Sequence, residues 1–129
     1  MSPAAMQLDL FARPVAPAMR ERCIPHGPVV QGAVDETLRL PHPKYAWDWA
    51  AIELHRASDG RWMWSTSYNT GSGGGGYRVG EKWGNFAPER DDALHWAIQE
   101  LRALVQGRHL HTEERRPVRL ILDWLDDLR

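Results

Sequence analysis

The stretch Ile52-Glu53-Leu54-His55-Arg56-Ala57-Ser58-Asp59-Gly60-Arg61-Trp62-Met63-Trp64-Ser65-Thr66-Ser67 decides the fold. Ile52 and Leu54 alternate with Glu53 and His55; past the middle, Trp62, Trp64 and Thr66 alternate with Met63, Ser65 and Ser67. A period of two puts each set on one face of a strand. Asp59-Gly60 between the runs is a tight-turn signal, since glycine takes positive φ without strain. The pattern predicts a hairpin with strands near 48–57 and 61–68 and one apolar, aromatic face.

Downstream, Gly71-Ser-Gly-Gly-Gly-Gly76 reads as a flexible connection, and Tyr77 to Trp83 as a third, shorter strand. Pro88 to Asp92 opens a helix, its acidic residues suited to the positive end of the helix dipole. Ala93, Leu94, Ala97, Ile98, Leu101, Leu104 and Val105 recur at helical spacing as one apolar stripe, and Gly107 stops it. A second helix begins after Thr112 or at Arg116, with Val118, Ile121, Leu122, Trp124, Leu125 and Leu128 as its apolar set. The expected architecture is α+β: a three-stranded antiparallel sheet followed by two packed helices, forming a domain over 45–129.

Upstream the composition changes. Seven of the nine prolines lie in residues 1–44, and five basic residues there face four acidic ones. Prolines at that density forbid a long helix, so the span reads as an extended, disordered arm. The whole chain of 129 residues has 16 Lys and Arg against 17 Asp and Glu, which argues against a surface built throughout to neutralise phosphates. One cysteine, Cys23, excludes a disulfide framework, and no apolar run approaches the roughly 20 residues of a membrane span. With no secretion signal visible, the expectation is a cytoplasmic protein with no membrane role.

Inside the arm sits an apolar island, Gln7-Leu8-Asp9-Leu10-Phe11. It resembles the pentapeptide by which bacterial proteins bind the DNA polymerase sliding clamp (the β subunit), Gln-Leu-(Ser or Asp)-Leu-Phe, and agrees at all five positions. A chance match in a chain this long is on the order of one in several thousand. The resemblance implies an extended peptide laying anchors into a preformed groove. Gln7 would bond through its amide at the mouth of a small subsite. Leu8 would be a linking contact and Asp9 would face the rim. Leu10 and Phe11 would fill the deep pocket, with about 3–5 kcal/mol of apolar burial before ordering costs. Micromolar affinity is expected for one copy. A competing reading has Leu8, Leu10 and Phe11 docking back on their own domain as an edge strand.

Other features carry less. The glycine run formally satisfies the spaced-glycine dinucleotide pattern, but a strand rather than a helix is expected to follow it and no acidic partner sits at a suitable distance. Trp47, Trp49, Trp62, Trp64 and Trp83 fall on the expected sheet, Trp62 and Trp64 on one face. They read as core, or alternatively as a platform on which bases stack, with Arg61, Tyr68, Tyr77, Arg78 and Lys82 as nucleic-acid contacts. Basic and acidic residues cancel over 47–86, which weakens the platform. His109 and His111, with His95 on the preceding helix, lack the cysteines or the His-Glu-X-X-His spacing of a metal centre, and Asp123, Asp126 and Asp127 read as a polar helix face. Nothing groups a nucleophile with a base and an orienting residue, so neither catalytic residues nor a cofactor or metal is expected.

The leading expectation is a non-enzymatic adaptor or inhibitor that grips the sliding clamp in DNA replication, from a bacterium or its mobile genetic element. The alternatives are a module binding single-stranded or duplex nucleic acid through the tryptophan sheet, and an antitoxin-like or anti-defence interaction domain. The last is suggested only by an element order similar to that of small antitoxin and double-stranded-RNA-binding domains.

Overall fold

The computed structural model describes residues 13–108 and 112–128. The hairpin forms where its alternation predicts, as Asp48–Arg56 and Trp62–Asn69. Gly60 closes the turn at φ +93°, and Asp59 Oδ1 accepts the Arg61 N–H at 3.0 Å. Leu54 pairs with Trp64 and Ile52 with Thr66, so both strands present the same parity to one side.

Around this pair the sheet is larger than the alternation alone implies. In chain order the strands are β1 (Met19–Arg20), β2 (Glu36–Pro41), β3 (Asp48–Arg56), β4 (Trp62–Asn69), β5 (Gly74–Gly76) and β6 (Asn85–Ala87). All six pair antiparallel in the order β1-β6-β4-β3-β2, with β5 on β4. Among the described residues the expected three strands are therefore six, and the span 1–44 read as an arm supplies two of them. The cause is visible at β2, where Leu38 and Leu40 pair opposite Ile52 and Ala50. Pro41, which cannot donate to a ladder, sits at the last position of this edge strand, where it is tolerated.

The third strand is displaced as well. Tyr77 to Trp83 is irregular and ends in a single 3₁₀ turn, Glu81–Trp83; strands lie on either side, at β5 and β6. β5 consists of glycines, contrary to the reading of that run as a loop. A Cβ on Gly76 would overlap the Ser67 side chain and lie 2.9 Å from Ser67 Cα. Only glycine lets this backbone approach β4 closely enough to take ladder bonds.

Helices α1 (Arg90–Gln106) and α2 (Arg115–Asp127) cover one face. Ala93, Leu94, Ala97, Ile98, Leu101 and Val105 of α1 pack with Ile52, Leu54 and Trp64 of the sheet and with Ile121 and Leu125 of α2. Leu104, expected in the stripe, is exposed. Trp64 is wholly buried; Trp62, nearer the turn, is only partly covered. On the opposite face Met63, Val79, Phe86 and Ala57 form a smaller cluster under Val30 and Val34. The proline-rich segment reaches that face through backbone bonds, among them Glu21 N–H to Gly84 O (2.8 Å), Ile24 N–H to Lys82 O (2.9 Å) and Val30 N–H to Val79 O (2.8 Å). No helix among the described residues is long and apolar enough to cross a membrane.

Candidate functional site

Gln7, Leu8, Asp9, Leu10 and Phe11 lie outside the described residues, as do His109 and His111. What the structure does describe is the segment that follows them, from Arg13. Arg13 Nη2 donates to Asp92 Oδ1 at 2.7 Å, and the Ala16 N–H donates to the same oxygen at 3.0 Å. The Ala16 carbonyl accepts the indole N–H of Trp96 at 2.9 Å, one helical turn beyond Asp92. Ala18 packs on the main core, and Met19 and Arg20 pair with Phe86 and Asn85. Residues 13–20 are thus a strap laid across the start of α1.

Asp92 is the centre of this strap. Its residue exposure is 0 %, in the first turn of α1, where the helix dipole favours a negative charge. Burial alone would raise its pKa, but the Arg13 guanidinium and the Ala16 amide outweigh that and hold the carboxyl below the usual aspartate range. The bond to Asp92 in turn raises Arg13. Asp92 Oδ2 is buried with no hydrogen-bond partner among the described residues. Sequence reasoning took Asp92 only as a helix-opening acid. The missed signal was Trp96, a residue with one N–H to satisfy, a turn further along the same helix.

The residues expected to contact nucleic acid do not converge. Arg61 pairs with Asp59 at 2.7 Å and Glu21 at 3.2 Å, its guanidinium 3.7 Å from the centre of the Phe86 ring. Asp59 is the main cause of its raised pKa, and Arg61 lowers Asp59 in return. Arg78 donates to the Val30 carbonyl and lies 3.8 Å from Glu53 Oε2 on the far face. Tyr68 packs against the main core on the helix side. Tyr77 donates to Glu100 Oε2 at 2.6 Å and accepts from Asn85 Nδ2 at 2.8 Å. Burial, and then Glu100, push its phenol far above the ordinary value, so it stays neutral. Lys82 sits over Trp83, 4.7 Å from the ring centre. Thr66 also donates to Glu100 Oε2, at 2.6 Å, closing a polar network that ties α1 to the sheet.

The tryptophans are likewise divided. Trp64 belongs to the core and Trp83 packs beside Tyr77 at 5.0 Å. Trp47 and Trp49 instead gather with His42 and Tyr45 at the connection between β2 and β3, with ring centres 4.4–5.6 Å apart. His42 Nδ1 accepts the N–H groups of Lys44 (3.0 Å) and Tyr45 (3.2 Å), which fixes this turn and leaves the neutral ring's proton on Nε2. Tyr45 is 61 % exposed, the most open large ring described. The sequence places Trp47 and Trp49 with the other tryptophans on one sheet; the turn around His42 instead gathers them at the start of β3, away from Trp64 and Trp83.

Among the described residues no group of three His, Cys, Asp or Glu side chains could hold a metal ion. Asp126 of α2 pairs with Arg102 of α1, and Asp123 with Arg119 one turn away on α2. No protein-family model, no curated protein and no solved structure matches the chain.

Proposed function

We propose that this chain is a non-enzymatic partner of the bacterial DNA polymerase sliding clamp, held through Gln7 to Phe11. The observation that carries the reading is the agreement of all five residues with the clamp-binding pentapeptide. The strap supports it, because Arg13 to Arg20 give the peptide a fixed base on the folded body. Leu10 and Phe11 supply the apolar anchors and Gln7 the polar register, as an extended peptide in a groove requires. The body then travels with the clamp at replication sites, as an adaptor or as a competitor for the groove. Either role implies a cytoplasmic protein.

The test is a binding measurement between the purified chain and a bacterial clamp. Wild type should bind with micromolar affinity, and the double change Leu10→Ala, Phe11→Ala should abolish binding while leaving the melting temperature within a few degrees. A wild-type chain that does not bind the clamp overturns the reading.

A second reading, nucleic-acid binding, is favoured by the exposed ring of Tyr45 and the half-buried rings of His42, Trp47 and Trp49 gathered beside Lys44. Bases stack on such clusters in single-stranded complexes, and binding there falls with salt. Quenching of tryptophan fluorescence by a 15-mer oligonucleotide, lost in Trp47→Ala, is its expected sign; no quenching at low salt excludes it.

A further inference from the structure

Only Ala12 stands between Phe11 and Arg13. Two Cα–Cα steps of about 3.8 Å limit the distance between those two residues to roughly 7 Å, whatever path the chain takes. Arg13 is held by a carboxylate that is itself wholly buried, and Ala16 is bonded through both its N–H and its carbonyl. From Ala18 onward the chain is part of the core and then of the sheet. The link from motif to body is therefore one residue long, where composition had suggested a loose tether of some thirty.

We infer that the folded body abuts the clamp at the N-terminal end of α1, so that clamp and body move as one unit. The inference rests on the clamp reading of Gln7 to Phe11. With Phe11 seated in a groove, Arg13 stands within about two residues' reach of the groove's rim. The surface around Arg13 is formed by Glu89, Arg90 and Asp91, and a cleft continues from there along Leu94 and His95. Those residues meet the clamp surface that borders the groove. Arg90 is already committed to Glu36 (2.5 Å) and Asp91 (2.7 Å), which makes this corner preorganised. A link of one residue confines the body to a narrow range of positions beside the groove, whereas a long tether would let it swing freely.

The experiment compares two full-length chains labelled with ¹⁵N, each free and saturated with purified clamp. One is wild type; the other carries an eight-residue Gly-Ser insertion between Ala12 and Arg13. In the wild-type complex the sheet amides should relax at the rate of the whole assembly, and amides of Glu89 to His95 should gain protection from exchange. In the insertion variant the motif should still bind, but the body should relax several-fold more slowly, near the rate of the free chain, with no added protection. A wild-type body that relaxes like the insertion variant while bound overturns the inference and leaves the clamp reading standing. Failure of both chains to form any complex overturns the clamp reading and the inference with it. Protection of Leu94 and His95 in the free protein that disappears on adding clamp would mean that Leu10 and Phe11 occupy the cleft themselves, and that also overturns it.

Discussion

Replacing Trp64 by Ala tests whether the sheet's tryptophans are core or platform. Trp64 is 0 % exposed, on β4 beneath α1 and opposite Leu54. A buried indole removes about 200 Å² from water, or roughly 5 kcal/mol at ~25 cal/mol per Å². Alanine keeps part of that area and the site collapses only partly, so the expected loss is about 3–5 kcal/mol. One term opposes it. Trp64 Nε1 is buried with no hydrogen-bond partner among the described residues, and removing such a donor recovers about 1–3 kcal/mol. The net loss therefore falls toward the lower end of that range. With an unfolding entropy of about 2 cal/mol/K per residue, 3–5 kcal/mol lowers the melting temperature of a chain of 129 residues by roughly 10–20 °C. Trp64→Phe separates the two terms, since it keeps most of the ring and deletes the unpartnered N–H; it should stay within about 1.5 kcal/mol of wild type. Thermal and urea unfolding of both variants, with an unchanged urea slope, is the assay. A Trp64→Ala protein melting within 3 °C of wild type would refute the core assignment.

Asp92→Asn should free the strap without unfolding the body, so that amide exchange at Ala16 rises by an order of magnitude or more while the sheet amides keep their protection. Acid should act likewise. Because the folded Asp92 carboxyl titrates below its ordinary value near 3.8, its contribution is fully present above that value. It is lost as pH falls through the depressed one. The protection of the Ala16 amide relative to its intrinsic exchange rate should thus be constant from pH 7 to about 4 and fall below it. Gly76→Ala should cost about 1–3 kcal/mol because its Cβ meets Ser67, whereas Gly75→Ala, whose nearest neighbour is Tyr68 Cε1 at 3.9 Å, should be near neutral in the same urea titration. Leu104→Gln should shift stability by no more than about 0.5 kcal/mol, since Leu104 faces solvent despite its helical spacing.

What was legible in the sequence is what neighbouring residues decide among themselves. The hairpin needed only the alternation about Asp59-Gly60, and α1 needed only its apolar spacing between Pro88 and Gly107. The proposed clamp-binding role of Gln7 to Phe11 likewise rests on five consecutive residues alone, which lie outside the described structure. Leu104 marks the edge of that legibility: spacing says which side of a helix is apolar, and the neighbours decide how far round the cover extends.

Tertiary structure decided everything whose cause lies far along the chain. β1 is two residues whose partners sit 65 and 67 positions away, and its pairing is made by backbone groups that leave no trace in side-chain pattern. β5 is a strand only because β4 offers a bonding edge and glycine allows the approach. Asp92 became the clasp of the strap only once Arg13 and Ala16 were brought across 79 and 76 positions to share one buried oxygen. Arg61, Tyr77, Arg78 and Lys82, grouped by the sequence as contacts for one ligand, were separated onto different partners for the same reason. Local pattern encodes which face of an element is apolar; which distant groups satisfy its polar atoms is settled only when the chain closes on itself.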